Sequence, residues 1–248
     1  LHPSITVPPD HPRAKSLYTR EKLVDGFRRG LVAPEGLIAH GRGEAYDYLI
    51  GEKTTGLARN AIRAAAAILL LSKHPVISVN GNVAALCAKE VVRLADATGA
   101  GIEVNLFYRT EEREIAISKE LTRHGAKQVL GVGSMASARI PELQSERRKV
   151  DPKGIFIADT VLVPLEDGDR TEALARVGKK VITIDLNPLS RTARASHVTI
   201  VDNVIRAMPA LVDSVASMKG KRSIKKIAEG FDNDSNLSQS LALIREGT

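Results

Sequence analysis

The chain has 248 residues, with 36 Lys and Arg against 29 Asp and Glu for a formal charge of +7, 43% apolar and 3% aromatic residues, 19 Gly, 11 Pro, one Cys and no Trp. These values exclude a collagen, a coiled coil and a disulfide scaffold, since Cys87 has no partner in the chain; the length suits one large domain or a core with an appendage. The longest apolar stretch, residues 64–71, falls far short of the ~20 that a membrane span needs, and no secretory signal precedes the charged segment 13–29, so a cytoplasmic protein is expected.

Residues 1–55 are rich in Pro, Gly and charge. Within them, 16–29 reads as a helix on which Leu17, Leu23, Val24 and Phe27 share a face. From Gly56 onward, helical patterns alternate with short β-branched runs. Residues 58–72 form a helix stopped by Pro75, 76–79 a buried strand, 83–98 a helix ended by Gly99, and 102–108 a second strand. A helix over 111–124 and a strand over 128–132 follow, then a loop-rich insert at 134–154 containing Pro141 and Pro152. Three more strand-like runs lie at 160–164, 180–186 and 198–201, with a helix near 171–177 between the first two. Beyond Asn203 the chain is helical, at 204–218, 223–230 and 237–245, and these helices can pack on the sheet or form a dimer surface.

This alternation predicts a Rossmann-like α/β fold, a mostly parallel sheet with helices on both faces, because parallel neighbours need a crossover. One domain over 1–248 is expected, with 1–55 an N-terminal segment and 203–248 C-terminal helices. In such sheets ligands bind beyond the carboxyl ends of the strands. Four polar clusters fall there: Asn80-Gly81-Asn82, the acidic run 166–172, the run 185–194, and Asp202-Asn203.

Each cluster has a plainer alternative. Asn80-Gly81-Asn82 is also a good turn and helix cap. The acidic run can hold Mg²⁺ through water or an amine through a carboxylate, or simply be a solvated loop feeding a helix. Asp185 and Asn187 sit where an acid bonds a ribose hydroxyl, yet no G-x-G-x-x-G follows the first strand. Arg191 and Arg194 can face phosphates or be a surface pair. In the run 40–48, HGRGEAYDY, two glycines flank Arg42, so the backbone can approach a ligand while the guanidinium offers a planar fork to phosphate. His40 reads as a structural histidine, and Cys87 as a small buried hydrophobe. Charge alone admits a nucleic-acid partner, but eight scattered Tyr and Phe make no stacking platform. An enzyme that binds a phosphorylated, anionic small ligand at the strand ends is the better reading; an NAD-linked oxidoreductase on this fold and a basic nucleic-acid-binding protein are the alternatives.

Longer strings carry a resemblance: residues 11–13 and 16–22 (HPR, SLYTREK), 36–54 (GLIAHGRGEAYDYLIGEKT), 74–86 (HPVISVNGNVAAL), 105–110 (NLFYRT), 163–174 (VPLEDGDRTEAL) and 182–191 (ITIDLNPLSR). Over residues 11 to about 245 the chain resembles the archaeal phosphopantothenate synthetases, the 4-phosphopantoate–β-alanine ligases. That resemblance implies a homodimer that joins 4-phosphopantoate to β-alanine with ATP and Mg²⁺, releasing AMP and diphosphate, in archaeal coenzyme A synthesis. It places ATP on Arg20, Arg42, Asp185, Leu186, Asn187, Arg191, Thr192, Asn203 and Val204, with segment 1–55 folded over the ATP site. Around the substrates, Arg109 and Arg170 are candidates for offsetting charge. Asn80, with Asn82 and the N–H groups that follow, is a candidate for the substrate phosphate, and Asp167 or Asp169 for the ammonium.

Overall fold

The computed structural model describes residues 7–8, 10–141, 143–165 and 168–246. Five parallel strands form the central sheet: β1 (Pro75–Val79), β2 (Gly101–Val104), β5 (Thr160–Pro164), β6 (Lys180–Ile184) and β7 (Val198–Ile200), in the order β2-β1-β5-β6-β7. The chain winds outward from β1 to β2, then returns to the other side of β1 for β5. The strand order therefore reverses between β1 and β5, and a ligand crevice opens where the two connections diverge.

Alternation along the strands divides the core. Ile77, Val79, Leu162, Ile182, Ile184, Val198 and Ile200 enter one cluster with α3 (Gly56–Leu71), α4 (Gly81–Thr98) and α8 (Val204–Met218). Val76, Val161, Val163 and Val181 face the other way, against α6 (Gly168–Arg176) and Ile140, Leu143, Val150 and Ile155 of the insert. The first face carries the long helices; the insert, with its small antiparallel pair β3 (Ala138–Arg139) and β4 (Lys149–Val150), completes the second.

Most expected elements are present, with four differences. Residues 105–108 leave the strand after Val104. The run 128–132 makes only an isolated bridge, Leu130 to Glu103, and Gly131 has a φ of 76° that ends extended pairing. A short helix, α7 (Arg191–Ala195), follows β6.

The fourth difference matters most: residues 40–48, for which no element was expected, belong to α2 (Pro34–Leu49), which follows α1 (Ala14–Arg28). Glycines at 36, 41 and 43 each cost a helix about 1 kcal/mol relative to alanine, so tertiary contacts must hold it. Asn82 Nδ2 donates to the Gly36 carbonyl at 2.8 Å, Arg20 Nε binds both Glu44 oxygens at 3.1 and 2.9 Å, and Asp47 accepts from Asn203 Nδ2 at 2.7 Å. Arg206 joins Asp47 to Asp202, whose other oxygen accepts from Thr54 Oγ1 at 2.6 Å. The N-terminal segment is thereby bolted to the start of α8.

The remaining helices, α5 (Glu111–Arg123), α9 (Ile224–Glu229) and α10 (Asn233–Glu246), sit at the periphery. α10 seals the β7 edge, where Asn233 Oδ1 accepts the Thr199 N–H and Asn236 Nδ2 donates to its carbonyl. An edge strand left open would be a template for pairing with another chain.

Candidate active site

A cleft of about 860 Å³ opens at the carboxyl edge of the sheet, where the strand order reverses. That volume lies in the range of small-molecule sites. Its floor is built from strand ends and helix starts. β1 leads into α4, β5 into α6 and β7 into α8, so three helices of 18, 9 and 15 residues begin at this edge. A helix start carries the positive end of the helix dipole, which suits anions.

Asn80 forms the seam between the diverging connections. Its Oδ1 caps α4 through the Val83 N–H at 3.0 Å, and its Nδ2 donates to the Leu165 carbonyl at 2.7 Å. Leu165, just past β5, has a φ of 56°, a left-handed backbone that a branched residue rarely adopts. Gly81 is required by space: a Cβ there would lie 2.0 Å from the Leu31 carbonyl oxygen. Gly168 meets the same limit, since its Cβ would fall 2.4 Å from that of Arg191.

On the β6 side, Asp185 organises the loop to α7. It accepts the Asn187 N–H at 2.9 Å and the Ser190 hydroxyl, while Ser190 Oγ caps α7 through the Ala193 N–H. Burial raises the Asp185 carboxyl above its ordinary value, opposed by Ser190, the Asn187 amide and nearby Arg42. Asn203 caps α8 through the Ile205 N–H and reaches Asp47 in α2.

α2 roofs the cleft with His40, Arg42, Gly43 and Glu44. Gly43 lines the cleft beside Arg42, while within the protein a Cβ at Gly41 would meet nothing and at Gly43 only Leu186 at 3.7 Å. The close approach is at Gly36, whose Cβ would strike Asn82 Oδ1 at 2.3 Å. The far wall comes from Leu106, Phe107 and Tyr108 after β2, with Arg113 of α5 and Arg147 of the insert. Arg113 Nη2 donates to the Leu31 carbonyl, and burial lowers its pKa, so the guanidinium is poorly solvated.

Arg42, Asp185, Leu186, Asn187, Arg191, Thr192, Asn203, Val204, Asn80 and Asn82 all line this one cleft. Arg20 stands behind it, paired with Glu44, and Arg191 is held by Glu172 at 2.9 and 2.8 Å. Arg109 lies elsewhere: it pins the insert through Glu114 and the Gly131 and Lys149 carbonyls. Arg170 is fully buried with Ser78, under the sheet. Asp169 starts α6 outside the cleft lining, and Asp167 falls outside the described residues. Arg113 and Tyr108 were not anticipated as lining residues, whereas Ser190 lies in the expected run 185–194. The loop after β2 is also a carboxyl end, so the strand-end rule applied to all five strands would have reached Tyr108; Arg113 carries no such signal. Cys87 sits at a kink in α4, buried as expected. Among the described residues no group of three or more His, Cys, Asp or Glu converges as a metal cage, and no helix is long and apolar enough to cross a membrane.

Comparison with known proteins gives one consistent result. Residues 57–247 match the family model described as phosphopantothenate/pantothenate synthetase. Two similar curated relatives are named 4-phosphopantoate–β-alanine ligase. That of Thermococcus kodakarensis is 54% identical over 98% of this chain and 93% of its own length. That of Methanosarcina mazei is 52% identical over 97% and 94%.

Proposed function

The chain belongs to the phosphopantothenate/pantothenate synthetase family, and on that premise we propose that it is the ligase that joins 4-phosphopantoate to β-alanine at the expense of a nucleotide. The nucleotide in this reading is ATP, cleaved to AMP and diphosphate through an acyl-adenylate, and the working form is a homodimer. The observation that carries it is the cleft at the carboxyl edge of the sheet, bordered by the starts of α4, α6 and α8 and roofed by Arg42, on a chain 52–55% identical to ligases of that name. The names of these relatives point neither to an oxidoreductase nor to a nucleic-acid-binding protein.

The residues fit a nucleotide. The Asp185-to-Thr192 turn and the start of α8 form one end of the cleft, where Asn187 and Thr192 offer polar contacts for base and ribose, and Asn203, with both amide atoms engaged, shapes the wall. Arg42 and Arg191 face the phosphates from roof and floor, with Arg20 beside Glu44. Mg²⁺ would ride on those phosphates with its own waters, the usual way this ion is held. The N–H groups at the start of α4 and the Arg113 guanidinium form the other end, suited to the phosphate of the acid substrate. Asn80, with both amide atoms engaged, shapes this end rather than binding.

A carboxylate is a poor electrophile and must be activated. Bringing it to the α-phosphate gathers negative charge from the nucleotide, the carboxylate and a second phosphate. Fixed N–H dipoles and guanidinium groups offset that charge without reorganising, which is catalysis by positioning and electrostatics. The test is product analysis by anion-exchange chromatography after incubation with 4-phosphopantoate, β-alanine, ATP and Mg²⁺, omitting each in turn. Phosphopantothenate with matching AMP is expected. ADP in place of AMP would replace the adenylate by an acyl phosphate, and no product would overturn the reading.

A further inference from the structure

The cleft roof holds a histidine with no hydrogen-bond partner. His40 Nε2 is buried from solvent and has no hydrogen-bond partner; Glu44 Oε1, one helical turn on, lies 3.9 Å away. The ring lines the cleft, with 12% of the side chain exposed. Nε2 being buried on the Glu44 side, Nδ1 is the ring nitrogen that remains for a bound group. A structural histidine normally satisfies its buried nitrogen, and this one does not.

The carboxylate beside it is fixed. Arg20, from α1, grips both Glu44 oxygens, and the helix carrying both residues is locked at Asp47 by Arg206 and Asn203. At 3.9 Å the Glu44 carboxylate makes no hydrogen bond to the ring, but its fixed negative charge one helical turn away steadies an imidazolium once formed. Burial holds the imidazole below the ordinary histidine range. Arg20 adds to that shift while Glu44 and Asp47 oppose it. His40 is therefore neutral at pH 7 and able to accept a proton.

The ligation needs such a group. An aliphatic ammonium has a pKa near that of lysine, about 10.4, so β-alanine enters protonated and is no nucleophile. Resting on the function proposed above, we infer that His40 is the general base that takes this proton, through Nδ1, with Glu44 as its positioning partner. The freed amine pair attacks the activated acyl carbon and a C–N bond forms. The acyl C–O bond to the nucleotide phosphate breaks, with its electron pair leaving on the phosphate. The second amine proton departs with that phosphate oxygen, and His40 returns its own to water.

The test compares two nucleophiles in the full-length protein and in H40Q and H40N. Hydroxylamine is already neutral at pH 7 and traps the activated acyl group as a hydroxamate without a base; β-alanine needs one. Both variants should lose about 10²-fold or more in kcat with β-alanine and stay within about threefold of the parent with hydroxylamine. The parent's kcat with β-alanine should fall on the acid side of a histidine-like ionisation, whereas the variants should show no such break and climb steadily toward the ammonium pKa. Equal losses with both nucleophiles, or none with either, would overturn the assignment and leave the ligase reading intact. A parent that makes neither product would overturn the ligase reading, and this assignment with it.

Discussion

Glu103 lies at the end of β2, fully buried, and holds the insert to the sheet. Its Oε1 accepts the Asp151 N–H at 3.1 Å and its Oε2 the Ile155 N–H at 2.6 Å. Burial pushes its carboxyl up from 4.5 to about 7, against the pull of those two amides and of Arg170. Between these values the unfolded chain releases a proton that the folded protein keeps, so stability falls as pH rises from about 4.5 to 7 and is level above. At 1.36 kcal/mol per pH unit the loss is about 3 kcal/mol. Glu103→Gln stays neutral throughout but has one oxygen for two amides, a cost of about 1–3 kcal/mol at every pH. The variant should be less stable than the parent at pH 4.5 and as stable or more so at pH 8.5. Urea unfolding of both proteins at both values gives the double difference, in which all other titrating groups cancel. A shift of about 3 kcal/mol toward the variant is expected, and parallel pH profiles would refute the burial argument.

Gly81→Ala places a methyl on the Leu31 carbonyl and so prises the start of α4 from the turn between α1 and α2. A cost of about 1–3 kcal/mol in urea unfolding and a raised KM for the nucleotide are expected; unchanged values would mean that the turn yields freely. Cys87 has its thiol pushed up to about 12 by burial. The native protein should leave Ellman's reagent unreacted at pH 8, and the denatured protein should consume one equivalent; rapid native labelling would contradict the packing of α4 against α8.

The parts of the fold visible in the sequence were those decided locally. β5 and α8 match the expected 160–164 and 204–218 because β-branched runs and an apolar helical face with an Asn cap point the same way. α2 was hidden because glycine argues against a helix, and what overrides it comes from Arg20, Asn82, Asn203 and Arg206, remote in sequence. The strand over 128–132 failed because extended propensity needs a partner, and β2 offers only four residues. The same division runs through the site. Asn80, Asp185 and Asn203 sit at strand ends, where topology alone puts them in the cleft. Arg109 and Arg113 lie four apart in sequence, yet only Arg113 lines the cleft while Arg109 braces the insert; nothing in residue type distinguishes them. His40 read as structural because a missing hydrogen bond cannot be seen without its surroundings.

The bond between Asp47 and Arg206 spans 159 residues, and that separation has a meaning for synthesis. Chains emerge at about 5–20 residues per second, so the roof of the cleft leaves the ribosome roughly 8–30 s before the residue that secures it. Through that interval α2, weak as an isolated helix, has neither Arg206 nor Asn203 to dock on. The cleft is thus among the last parts of the molecule to close, and a chain interrupted before β7 would carry the sheet's first strands but neither of the residues that secure its roof.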